Sequence, residues 1–223
     1  MPTAREVLLD AALSALATLP WTSVRMVDVA SAAGVSRQTL HNEFGGKDGL
    51  ARALLRDAAD GYLAGVERAL GSAGGTADRL AATAVWTVRA VRTNVLVKAL
   101  LTGCWSERLP RPGPLAAGYA SPLPGPRGAG PGPPAPAEML RRAGERAVAA
   151  LGGERPPRDP EELAVTCEIV LRLALSYALV PAPAGAGGEP VPLVRHIVER
   201  APDPVARCAV SGTSPRAGAR SPR

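Results

Sequence analysis

Between Val29 and Phe44 a short apolar face, a glycine, a hydroxyl and a second apolar face follow one another at intervals suited to two tightly joined helices. Val29, Ala30, Ala33 and Val35 set small or branched apolar groups along one side of a short helix and its turn. Leu40 and Phe44 stand four residues apart on the next helix. Gly34 falls where the chain must reverse, because a residue without Cβ adopts a left-handed conformation at little cost. Ser36 then suits an N-cap, its hydroxyl accepting from an otherwise orphan amide. The spacing predicts two helices clamped on a shared core, with both the turn and the restart encoded.

Away from Leu40 and Phe44, the second helix carries Arg37, Gln38, Thr39, His41 and Asn42, all donors or acceptors. In a helix-turn-helix the start of the second helix enters the major groove, where Arg, Gln and Asn make bidentate contacts to base edges. Double-stranded DNA is therefore the first partner expected. Gly45 and Gly46 close that helix, and Lys47 opens the next, where an ammonium or the helix's own amides meet a phosphate. Such a contact positions the protein rather than specifying a sequence.

From Arg5 to about Ala69 the chain resembles the TetR family of bacterial transcriptional regulators. The resemblance rests on the order of parts: an amphipathic first helix, Val29-Ala30, then Ala33-Gly34-Val35-Ser36, Thr39-Leu40 and Phe44, with Lys47, Asp48 and Leu50 opening a long fourth helix. It implies that Ser36, Arg37, Gln38, Thr39, His41, Asn42 and Lys47 face the duplex, joined by Arg25 where the family often has a threonine that meets a phosphate. His41 stands where the family usually has tyrosine, and its imidazole still donates to a phosphate. Glu43 stands where an aromatic residue or histidine is common. A carboxylate beside the DNA backbone is repelled, so Glu43 is left out of the contact set.

The rest of the chain reads as helical. Thr3 and Glu6 have capping-box spacing, followed by apolar residues at helical intervals from Val7 to Leu19. Ser23 is expected to cap a helix starting near Val24, and Trp21 to pack as a staple or to meet a phosphate. Leu50, Leu54, Ala58, Tyr62, Val66 and Leu70 recur every four residues along a helix that joins head to body. A second helical region is expected from about Thr76 to Thr102, with Trp86 and Trp105 as core residues or pocket walls. Another is expected from Ala137 to Leu151. Asp159-Pro160-Glu161-Glu162 combines a cap, a proline at the first helical position and first-turn acids. The helix that follows, Leu163 to Val180, is apolar nearly all round and needs cover on several sides, from its own subunit or from a partner. A short helix near Val191 to Ala201 completes that surface.

Residues 110–136 hold ten prolines and six glycines, which predicts a long loop. The tail, residues 202–223, is expected to be disordered. The expected fold class is thus all-α: a helix-turn-helix DNA-binding domain over residues 1–70 and a helical dimerisation and ligand domain over 76–201.

Charge does not make the DNA argument. The chain carries a net +6, yet residues 1–70 hold seven basic side chains against eight acidic ones. Affinity has to come from the local placement of Arg25, Arg37 and Lys47. Cys104, Cys167 and Cys208 are odd in number and lack metal-ligand spacing, so no metal is expected and the thiols read as reduced. There is no apolar run of membrane-spanning length, and Met1 to Leu19 carries no basic leader, so no membrane partner and a cytoplasmic location are expected. An enzyme would need a nucleophile, an acid–base pair or a metal cluster. The two histidines, His41 and His196, supply none, and no cofactor is expected.

These features predict a homodimeric repressor on a near-palindromic operator, released by an unidentified small-molecule effector, as the resemblance implies. The competing expectation is a helical dimerisation protein without specific DNA reading or ligand sensing.

Overall fold

The structure, a computed structural model, describes residues 2–111, 134–153, 159–180 and 190–200, and all regular structure among them is helical. Helix α1, Ala4–Thr18, starts at the expected capping box: Thr3 Oγ1 accepts from the Glu6 amide at 3.2 Å, and the Thr3 amide donates to Glu6 Oε2 at 2.7 Å. A 3-10 turn, Trp21–Ser23, follows Pro20, and α2 spans Met26–Ala32. That start corrects the expected one near Val24. Ser23 is spent in the turn, and Arg25 takes the N-cap position without a side-chain capping bond.

Helix α3, Arg37–Phe44, is capped by Ser36, whose Oγ accepts from the Thr39 amide at 3.0 Å. Gly34 adopts φ +67°, the left-handed conformation that the reversal between α2 and α3 requires. Helix α4, Lys47–Leu70, buries Leu50, Leu54, Ala58, Tyr62, Val66 and Leu70, the whole stripe expected of it. It packs on α1 and α3 at one end and on the body at the other.

The helical region expected over 76–102 consists of two helices: α5, Thr76–Thr93, and α6, Val95–Thr102. Asn94 causes the break. Its side-chain oxygen accepts from the amides of Leu96 and Val97 at 2.9 and 3.2 Å, capping a new helix where the apolar pattern alone runs on. Helices α7, Pro136–Leu151, α8, Pro160–Leu179, and α9, Val191–Arg200, complete the body. Asp159 Oδ1 accepts from the Glu161 amide at 3.1 Å, as expected of the cap before α8.

One apolar core runs from Leu8 to Val198. Helix α5 lies at its centre, packed on α4, α6, α8 and α9. Tyr62 is buried there with its hydroxyl 3.2 Å from Thr87 Oγ1, and burial pushes its pKa up to about 12. Trp86 packs against Gly65, where a Cβ would overlap the ring, and donates from Nε1 to the Tyr62 carbonyl at 3.1 Å. Trp86 and Trp105 are half-buried and pack on the core. Most of the Pro/Gly-rich loop and the tail expected over 202–223, with Cys208, lie outside the described residues.

Candidate nucleic-acid interface

Helix α3 divides its side chains by face. Leu40 and Phe44, each 2 % exposed, face inward, while Arg37, Gln38, His41 and Asn42 are exposed and Thr39 is half-buried. The exposed residues form two rows four apart, Arg37 with His41 and Gln38 with Asn42. Gln38 Nε2 donates to Asn42 Oδ1 at 2.9 Å, so these two amides hold each other in register on the open surface. Ser36 and Thr39 hydroxyls lie 2.9 Å apart at the start of the helix. Arg37 and His41 also flank a shallow cleft with Met26, Leu40 and Gly46, which brings α2, α3 and the start of α4 to one place.

What seats α3 comes from elsewhere in the sequence. Arg5 of α1 lies 5.0 Å from the Phe44 ring centroid and 3.8 Å from Glu43 Oε2. Glu43 therefore has a partner within the head, which agrees with leaving it out of the contact set. Below it, Gly49 allows the first turn of α4 to approach the end of α3, since a Cβ there would overlap the Phe44 carbonyl oxygen. Neither Arg5 nor Gly49 belongs to the expected site. A pairing across 38 residues of sequence, Arg5 to Glu43, leaves no local periodic signal.

The remaining two cations are held differently. Arg25 is exposed at the start of α2 and pairs with Asp28 of the same helix at 3.0 Å. Lys47 is half-buried; its Nζ donates to the Thr22 carbonyl at 3.1 Å and lies 5.4 Å from the Trp21 ring centroid. Trp21 itself is 7 % exposed, so it packs as the expected staple while its ring supports the neighbouring cation. The structure thus gathers Ser36, Arg37, Gln38, Thr39, His41 and Asn42 on α3 and its cap, with Lys47 at the following helix start and Arg25 at the preceding one.

A second surface lies on the body. Helix α8 turns Leu163, Cys167, Val170, Leu171 and Ala174 inward, but Val165 is 57 %, Ile169 44 % and Leu179 45 % exposed. Beside this ridge, α7 and α8 enclose a cleft of about 560 Å³, walled by Leu140, Val148 and Leu171 and rimmed by Arg141, Glu145 and Arg172. Arg141 pairs with Glu138 at 2.7 Å and also with Glu145, and Arg172 pairs with Glu168 at 2.8 Å, so the rim charges are balanced. Hydrogen bonds from Arg141 and Arg142 hold the Glu138 carboxyl down at about 2.

Among the described residues, no group of three or more His, Cys, Asp or Glu could hold a metal, and no helix is long and apolar enough to cross a membrane. Cys104 is exposed and Cys167 is buried.

Residues 8–54, from within α1 to within α4, match the family model described as bacterial regulatory proteins, tetR family. Over 66 residues, 30 % of this chain, the sequence is 42 % identical to the HTH-type transcriptional regulator AlkX of Mycobacterium tuberculosis. The match spans 31 % of that relative's length. Among solved structures, a transcriptional regulator of the TetR/AcrR family from Thermobifida fusca superposes with a TM-score of 0.52 at 17 % identity, covering 88 % of this chain and 95 % of that one. At that identity the likeness concerns the fold, and it extends the similarity beyond the head to the arrangement of the helical body.

Proposed function

We propose that this chain, a member of the tetR family of bacterial regulatory proteins by its N-terminal domain, is a homodimeric transcriptional repressor that binds a near-palindromic operator. The observation that carries the reading is α3 itself: an N-capped helix seated by two buried apolar residues, with Arg37, Gln38, His41 and Asn42 left open on one side. Side chains of these types match the donor and acceptor pattern of major-groove base edges. Ser36, Thr39, Lys47 and Arg25 are assigned to the backbone, where they fix register. The DNA-binding domain is taken as residues 1–70 and the dimerisation and effector domain as 76–201, with α4 shared between their packing.

The second copy is assigned to the α8 face. Val165, Ile169 and Leu179 form an apolar ridge that monomeric burial leaves uncovered, and a two-fold axis through it pairs the ridge with itself. The α7–α8 cleft falls within the volume range of small-molecule sites and is the concavity assigned to an effector. Such an effector releases DNA only if it prefers the released spacing of the two heads. A cytoplasmic location follows from a DNA partner.

The test is anisotropy of the purified chain on duplex DNA from upstream of its own gene, over a salt series, with random duplex as competitor. Tight binding that survives competitor supports a specific regulator. Equal, salt-labile binding to both duplexes favours a dimerisation protein without sequence reading. Retained specificity in a Gln38→Ala plus Asn42→Ala variant would remove α3 from the role given to it.

A further inference from the structure

Lys47 opens α4, and nothing in its own helix fixes its long side chain. The 3-10 turn before α2 does. Nζ donates to the Thr22 carbonyl at 3.1 Å and rests 5.4 Å from the centroid of the Trp21 ring. The turn is itself tied to the body: the Trp21 amide donates to the Arg108 carbonyl at 2.8 Å, and Arg108 Nη2 donates to the Thr18 carbonyl at 3.4 Å. Leu109 and Trp105 anchor that loop against the core. The platform under Lys47 is therefore built from two separated stretches of chain.

We propose that Trp21 is a positioning residue for Lys47, holding its ammonium in place for a backbone phosphate before DNA arrives. The chemistry suits a hold of this kind. A lysine side chain loses rotamer freedom whenever it is ordered, and a site that orders it in advance removes that cost from binding. The ring face attracts the cation without using a donor. Of the three ammonium donors, Thr22 takes one and leaves others for a phosphate oxygen.

The inference rests on the reading of the head as a DNA binder, and it is tested on the full chain by a double-mutant cycle. Affinity is measured by anisotropy on the upstream duplex and on a random duplex of equal length, because phosphate contacts are independent of sequence. Lys47→Ala is expected to lower the slope of log K against log salt by about 0.9 per bound subunit on both. Trp21→Leu is expected to weaken binding roughly two- to fivefold on both when Lys47 is present, and to cost nothing further in a Lys47→Ala background. Trp21→Phe keeps a ring and is expected to retain most of the affinity. If melting curves show that Trp21→Leu loosens the head, Trp21→Met takes its place.

An equal loss from Trp21→Leu in both backgrounds would mean that the tryptophan acts only by holding the head together, and would overturn the proposal. So would an unchanged salt slope in Lys47→Ala. A wild type that prefers neither duplex but shows the coupled loss refutes the repressor and keeps the positioning role. A wild type that binds neither duplex refutes both.

Discussion

Helix α3 hides two apolar side chains and offers two rows of polar ones to solvent, whereas α8 buries Leu163, Cys167, Val170, Leu171 and Ala174 and still leaves Val165, Ile169 and Leu179 uncovered. Exposure means something different in each. On α3 the open side chains are hydrogen-bonding groups, already content in water and available to a base edge. On α8 they are branched hydrocarbon, for which water is the unfavourable surrounding. A helix of the first kind depends on what seats it, and a helix of the second kind on what eventually covers it.

The seat of α3 is the place to break this contrast most severely. Phe44 is 2 % exposed, beneath the Arg5 guanidinium and against the core shared by α1 and α4. Phe44→Ala is expected to cost about 3–5 kcal/mol, the range for emptying a buried aromatic site. Thermal melts followed by circular dichroism should show the head lost before the body. A single transition, displaced by no more than an exposed substitution displaces it, would show that α3 needs no such seat.

On α8 the corresponding change should leave folding alone. Ile169→Lys places a charge on the outer face, where the side chain is 44 % exposed in the single chain, so the melt of the monomer should barely move. Where a second copy covers the ridge, burying an unpaired ammonium is expected to weaken association by about 2 kcal/mol or more, some thirtyfold or greater. Sedimentation velocity over a concentration series separates the cases. Unaltered self-association would take the α8 ridge out of the interface.

The same contrast separates what could be read from the sequence from what could not. Signals that act within one turn were legible: the Thr3–Glu6 box, Gly34 with its positive φ, the Ser36 cap, and Asp159-Pro160 before α8. Each is a local bond between a side chain and a nearby amide, or a backbone conformation, and needs nothing distant. The apolar stripe of α4 was legible for a similar reason, since every fourth residue faces one way. The break at Asn94 was not, because an asparagine within an apolar pattern also fits a solvent-facing position. The start of α2 was misplaced because Ser23, a fitting cap by type, was drawn into the turn after Pro20. The supports of the candidate site, Arg5 on Phe44 and Trp21 under Lys47, join residues far apart in sequence, and periodicity carries no information about such pairs.

One local signal also sets a smaller test of how independent α3 is of its seat. Ser36 Oγ satisfies the Thr39 amide at 3.0 Å, and Ser36→Ala is expected to cost about 1 kcal/mol of head stability. Ser36→Gly should recover most of it, because glycine is tolerated at the cap. The loss is read in urea unfolding as a lower midpoint at unchanged slope. Full retention of stability in Ser36→Ala would mean that packing alone starts the helix.

The finest test concerns charge on α4. Asp57 of α4, an exposed residue, has its pKa raised, first by partial desolvation of its carboxyl and then by the neighbouring charges of Asp10 and Asp60, with a weaker push from Glu6; Arg5 acts in the opposite direction. A carboxyl whose folded pKa lies above its unfolded value holds its proton more tightly when folded. Its contribution is therefore most favourable below the unfolded pKa and is lost as pH rises through the folded one. At neutral pH the penalty is complete, so Asp57→Asn should raise the melting temperature of the head slightly there. The gain should shrink as pH falls and disappear below the ordinary carboxylate range. A gain of equal size at both ends of the titration would assign the effect to shape rather than charge. By contrast Glu168 on α8, exposed and paired with Arg172 at 2.8 Å, should give little change on Glu168→Gln, as expected of an ion pair in full contact with water.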